Sequence, residues 1–207
     1  ANVYHHYGIY MSFIKNSELT IQYFTMAIEQ GYVYSIVLLG RYYDTLKRSE
    51  MARKYYLMAA EKNNTTAMIY LAMSFEEAHQ YEAAEKYYLQ AIQEGSTNAI
   101  YDLAGCYETQ EKYSLAEEYY LQAIAKGDSD SMYRLGLLYD KKKKDREATE
   151  KYYHMALHDK MSGDHPAPKN HYNKHTSSKL QNFYSPQDVL GKLQELYSRD
   201  DRYEDLF

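Results

Sequence analysis

The 207 residues carry 24 lysines and arginines against 29 aspartates and glutamates, for a formal net charge of −5, and 45% of them are hydrophobic. That balance excludes a broadly basic, nucleic-acid-binding surface, and no stretch approaches the roughly 18 apolar residues of a membrane span. A single cysteine, Cys106, excludes an intrachain disulfide framework and favours the cytoplasm or another reducing compartment. Ala1 is preceded by no initiator methionine and followed by no signal peptide, which is compatible with a fragment of a longer protein. The 27 tyrosines, beside 3 prolines and no tryptophan, point to aromatic positions that recur with a period.

In chain order, Tyr23-Phe24-Thr25-Met26-Ala27 is the first of five copies of one block. It returns at 32-residue intervals as Tyr55-Tyr56-Leu57-Met58-Ala59, Tyr87-Tyr88-Leu89-Gln90-Ala91 and Tyr119-Tyr120-Leu121-Gln122-Ala123, and after 33 more residues as Tyr152-Tyr153-His154-Met155-Ala156. A second block runs Ile36, Leu39, Gly40, Tyr43, and recurs as Met68, Leu71, Ala72, Phe75, as Ile100, Leu103, Ala104, Tyr107, and as Met132, Leu135, Gly136, Tyr139. Its i, i+3, i+4, i+7 spacing puts all four residues on one helix face, and the small third member allows a close neighbour. Ala84, Tyr88, Ala91 and Ile92 give the other block the same helical periodicity. Gly31, Asn63, Gly95 and Gly127 then stand where a left-handed residue ends the helix. The pattern predicts helix hairpins, with Tyr56, Tyr88, Tyr120 and Tyr153 in the core and Tyr55, Tyr87 and Tyr119 nearer its edge.

The Ala-x-x-x-Tyr-Tyr-x-x-Ala pattern, the glycine four residues on, and the small residue opening the next unit (Ser35, Ala67, Ala99, Ser131) resemble the Sel1-like repeat of the tetratricopeptide superfamily. The turns Thr45 to Ser49 and Gln110 to Ser114 depart from that family in being short and glycine-free. The resemblance implies an all-α, right-handed α-solenoid of about five 32-residue helix pairs over residues 1–160, with a scaffold or adaptor role. It implies no catalysis and no cofactor.

Residues 161–184 break the pattern with Ser, Asn, His, Lys, Gly163, Pro166 and Pro168, and read as a polar, His-rich loop or linker. In 185–207, Ser185 offers an N-cap, Pro186 suits the first helical position, and Val189, Leu190, Leu193, Leu196 and Tyr197 form an apolar stripe. A C-terminal helix is expected there, capping the last repeat, with an acidic tail behind it.

His154 and His158, at i, i+4, are the candidate metal ligands, with His165, His171 and His175 following. A metal-binding protein or metal-dependent enzyme built on these histidines is the alternative function. Against it, Met155 stands where a metalloprotease helix needs glutamate, and no cysteine pair accompanies them. Cys106 has no base at recognisable spacing, and Lys141 to Lys144 fall at a helix end where cations complement the dipole.

The remaining face of each first helix gives the sets Val37, Arg41, Asp44; Ile69, Met73, Glu76; Tyr101, Gly105, Glu108; and Tyr133, Leu137, Asp140. Each begins apolar or aromatic and ends in a carboxylate near a helix C-terminus, where negative charge opposes the dipole. A locally unfavourable choice made four times points to function. The leading expectation is a concave groove that holds a basic-hydrophobic segment of another protein, with no nucleic acid and no membrane as partner.

Overall fold

The computed structural model describes residues 3–162 and 184–199. Its helices run α1 Val3–Phe13, α2 Ser17–Glu29, α3 Val33–Thr45, α4 Ser49–Ala60, α5 Thr65–Glu77, α6 Tyr81–Gln93, α7 Asn98–Thr109, α8 Tyr113–Ala125, α9 Asp130–Leu138, α10 Arg146–Ser162 and α11 Pro186–Ser198. They pair as five hairpins, α1–α2 through α9–α10, with α11 after them, and no strand occurs among the described residues. The histidines 165, 171 and 175 and most of the linker lie outside those residues. The chain divides into two compact units, Ala1–Ala99 and Ile100–Phe207.

Each hairpin core is made of the residues that the period singles out. Leu39, Leu71, Leu103 and Leu135 are buried, as are Tyr56, Tyr88, Tyr120, Tyr153 and the alanines one helical turn away. Tyr55, Tyr87 and Tyr119 are only partly buried. The small position on the first helix is filled by the neighbouring ring: a Cβ on Gly40 would lie 2.7 Å from the Tyr56 ring, and one on Gly136 would lie 2.6 Å from Tyr153.

Both kinds of turn use left-handed backbone. Gly31, Asn63, Gly95 and Gly127 separate successive hairpins at positive φ, as their residue types predict. The turns inside the hairpins do the same with side chains that ordinarily avoid this region: Lys15, Lys47, His79, Glu111 and Lys144 have φ between 52° and 60°. Closing bonds hold them there; the Lys47 amide donates to the Asp44 carbonyl at 2.9 Å and the Arg48 amide to Tyr43 at 2.9 Å. These pair the last carbonyls of α3, which have no partner within the helix.

The one 33-residue interval has a local structural form. After α9 the chain makes a π turn, Tyr139–Lys143, and leaves it through Lys144 in the left-handed region. A π turn is the way a helix absorbs a single extra residue, so the pairing of α9 with α10 persists. α11 then begins with a reciprocal cap, in which the Ser185 hydroxyl accepts from the Asp188 amide at 3.2 Å and the Ser185 amide donates to the Asp188 carboxylate at 2.6 Å. Val189, Leu193 and Tyr197 join Tyr153, Ala156 and Tyr184 in one buried cluster. Leu196 is buried as well, whereas Leu190 is 38% exposed.

Candidate functional site

The paired tyrosines and the recurring carboxylates are two halves of one device. In the second hairpin Tyr43 stacks on Tyr55 with ring centroids 5.4 Å apart, and one residue further along each helix the Tyr56 hydroxyl donates to Asp44 at 2.5 Å. The third hairpin repeats both contacts, with Phe75 on Tyr87 at 5.6 Å and Tyr88 donating to Glu76 at 3.1 Å. So does the fourth, with Tyr107 on Tyr119 at 5.4 Å and Tyr120 donating to Glu108 at 2.8 Å. The first tyrosine of the doublet grips the first helix by its ring and the second by its hydroxyl. A buried phenol needs an acceptor, which accounts for an acid kept at an unfavourable helix end.

The two end hairpins vary this pairing. In the first, Phe24 replaces the second tyrosine and Ser12 replaces the acid, so donor and acceptor disappear together. In the fifth, Tyr139 still stacks on Tyr152 at 5.6 Å, but the Tyr153 hydroxyl is buried with no hydrogen-bond partner among the described residues. Asp140 instead receives Arg199, at the end of α11, at 2.7 Å.

Electrostatics follow burial. Desolvation raises the Asp44 carboxyl above its ordinary value, with the Tyr56 hydrogen bond opposing that rise. Burial also pushes the Tyr101 phenol up to about 12, against the nearby Arg134 guanidinium, whose Nε donates to the Tyr101 oxygen at 3.2 Å.

The sequence-derived groove residues fall into three kinds of place. Val37, Ile69 and Met73, expected on an open surface, are buried at 1%, 1% and 7% exposure. Apolar side chains at these positions gain more from packing inside their unit than an open groove would allow. Asp44, Glu76 and Glu108, expected at a rim, are engaged by the tyrosines of their own hairpins. Arg41, Tyr101, Tyr133 and Leu137 keep partial exposure. Arg41 sits over the Tyr70 ring at 5.6 Å, and Tyr133 and Leu137 pack against the buried cluster that α11 completes.

Of the histidine pair, His154 shares a 3.0 Å hydrogen bond with the Tyr197 hydroxyl, and His158 is exposed. Among the described residues no group of three or more His, Cys, Asp or Glu side chains could hold a metal ion. Cys106 is buried against the Gln110 amide. Among the described residues, no helix is long and apolar enough to cross a membrane.

Hairpins of this length and register, tied by ring and hydroxyl contacts, define a helical repeat protein of the solenoid class. The Sel1 repeat family model matches residues 1–32, 66–96 and 129–158, and the tetratricopeptide repeat model matches 33–61 and 97–125, so that between them every hairpin is matched. The chain belongs to the Sel1-like repeats of the tetratricopeptide superfamily. The solved structure of a Sel1 repeat protein from Oxalobacter formigenes is similar at 26% identity and a TM-score of 0.56, covering 74% of this chain and 69% of that one. MamA is similar in fold at 19% identity and a TM-score of 0.63, covering 75% and 95%. So is c5321, a protective antigen of uropathogenic Escherichia coli strains, at 20% identity and 0.59, covering 88% of this chain and 37% of that one. No curated protein matches the chain. Repeats of this kind serve in general as protein-interaction scaffolds and are typically non-catalytic.

Proposed function

We propose that this chain is a non-catalytic scaffold that holds a basic-hydrophobic segment of another protein on the first-helix faces of its hairpins. In the second unit Tyr101 is the partly exposed anchor, with Glu108 further along the same helix, while Tyr133 and Leu137 show the same kind of face with α11 laid on it. The observation that supports this most is the behaviour of the chain's own α11. It lays Val189, Leu193 and Tyr197 into a cluster bordered by Tyr133 and Leu137, and brings Arg199 to Asp140. An amphipathic helix, in which Asp188 and Glu195 balance Lys192 and Arg199, therefore already packs on the fifth hairpin and sets an arginine on its recurring acid. A carboxylate accepts several hydrogen bonds, so a tyrosine donor on Glu108 leaves room for a partner's guanidinium. Tyrosines supply the larger part of the affinity, because a hot-spot truncation costs about 2 kcal/mol or more, whereas an exposed ion pair contributes about 0–1 kcal/mol.

Affinity capture from the native source, run in parallel on the wild-type and Tyr101→Ala chains and read by mass spectrometry, tests the reading. A dominant partner that the wild type retains and the folded variant loses supports it. Identical partners on both chains would place recognition elsewhere.

A further inference from the structure

In the second to fourth hairpins, the acid near the end of the first helix accepts the hydroxyl of the tyrosine twelve residues on, as Asp44 does from Tyr56. The fifth hairpin holds both groups and leaves them apart. Asp140 pairs with Arg199 at 2.7 Å, and the Tyr153 hydroxyl has no hydrogen-bond partner among the described residues. Neither side-chain length nor helix separation accounts for the difference. Asp44 reaches its tyrosine with the same side chain as Asp140. Tyr139 stacks on Tyr152 at 5.6 Å, against 5.4, 5.6 and 5.4 Å in the other three hairpins, so the π turn absorbs the extra residue without spreading the helices. What the fifth hairpin has in addition is the guanidinium that α11 brings.

The Asp140 side chain is 8% exposed, whereas that of Arg199 is 53% exposed. Burial and the charge of Asp140 raise the Tyr153 phenol above its ordinary value, and Arg199 works against that rise, so the three groups share one electrostatic site. A buried carboxylate without a donor is strongly unfavourable, and with a single donor available that penalty would hold α11 down. Here the Tyr153 hydroxyl is a substitute, in an arrangement that three hairpins already use. Undocking of α11 then exchanges one charge-assisted bond for another. The other polar ties of α11 run from the Tyr197 hydroxyl to Glu150 at 2.5 Å and His154 at 3.0 Å, side chains that water can reach. The rest of its seat is the apolar cluster bordered by Tyr133 and Leu137.

We infer that α11 is a releasable latch with Asp140 as its switch: Asp140 pairs with Arg199 while α11 is docked and accepts the Tyr153 hydroxyl when α11 leaves. The fifth hairpin thereby keeps its fold while Tyr133 and Leu137 are uncovered, whatever segment then binds them. Hydrogen exchange read by mass spectrometry on the 207-residue chain tests the release. α11 should exchange faster than α10, because it opens without the hairpin. Tyr153→Phe removes the orphaned hydroxyl from the docked state and the substitute donor from the released one, so α11 exchange should slow about tenfold. Arg199→Ala alone should change α11 exchange little, since the Tyr153 hydroxyl takes over Asp140 in place. Introduced into the Tyr153→Phe background, the same substitution should speed exchange about tenfold, because Asp140 then has neither donor. A crystal structure of Arg199→Ala should show Tyr153 donating to Asp140 with α11 still seated. One exchange rate shared by α10 and α11, additive effects of the two substitutions, or an Asp140 that still turns away from Tyr153 in that structure would each overturn the proposal.

Discussion

Replacing Tyr120 by phenylalanine removes one hydroxyl and nothing else, and Phe24, 2% exposed at the same repeat position, shows that the bare ring fits such a site. What is lost is the 2.8 Å bond to Glu108. Hydrogen bonds to a charged group contribute about 1.5–3 kcal/mol, and the partial exposure of Glu108 lets water replace the donor, so the lower figure applies. With a urea slope of about 2 kcal/mol per molar, a loss of about 1.5 kcal/mol lowers the unfolding midpoint by about 0.7 M. The same substitution at Tyr153 should do the opposite. Its hydroxyl is buried without a partner among the described residues, a state that costs about 1–3 kcal/mol, so Tyr153→Phe should leave the midpoint unchanged or raise it. Both sites lie in the second unit, so one unfolding curve followed by circular dichroism reports on both. Equal losses at the two positions would refute the reasoning, since the ring and not the hydroxyl bond would then carry the effect.

Leu103→Ala, at a fully buried site, should cost about 2–5 kcal/mol by urea unfolding; an unchanged midpoint would mean that its helix face is misjudged. Glu111→Gly relieves a left-handed residue at φ 60°. That strain costs roughly 1–2 kcal/mol and the added glycine entropy about 0.5–1 kcal/mol, so the melting temperature should rise slightly. A fall would show that the Glu111 side chain stabilises the turn. Asp44 has its folded-state pKa raised above the ordinary 3.8, chiefly by burial. A raised value favours the protonated folded form, so its contribution is fully present below the unfolded pKa and is lost as pH rises through the folded one. The stability of the wild type relative to Asp44→Asn should therefore improve as pH falls from 7 towards 4 in paired urea titrations, and a decline over that window would contradict the assignment.

The hairpins, their period and their cores were legible because burial of Leu39, Leu71, Leu103 and Leu135 recurs at helical spacing and each interval carries a left-handed residue. The extra residue before Tyr152 was legible as a number, but its π-turn form depends on how a local helix closes its bonds. The strained turn residues were hidden, since Lys, His and Glu announce no left-handed backbone. Against its own helix alone, each recurring acid has the pattern of a surface residue. The informative comparison joins two helices: Ser12 accompanies Phe24, whereas Asp44, Glu76 and Glu108 each accompany a tyrosine twelve residues on. The cover over Tyr133 and Leu137 was harder to foresee, since an apolar stripe on α11 says that the helix docks without saying where.

The ring and hydroxyl ties of the second to fourth hairpins all span twelve residues of chain. Contacts that near in sequence close loops with little entropy and belong to the fast end of folding topologies. On a ribosome, a hairpin can form its stack and its phenol–carboxylate bond as soon as its own second helix has emerged, with no later residue required. Synthesis then adds finished hairpins one at a time, and apolar surface waits for cover only at the growing edge. Arg199 and α11 arrive after all five hairpins, so the final contact made is the one that occupies Asp140, the acid that Tyr153 leaves unused.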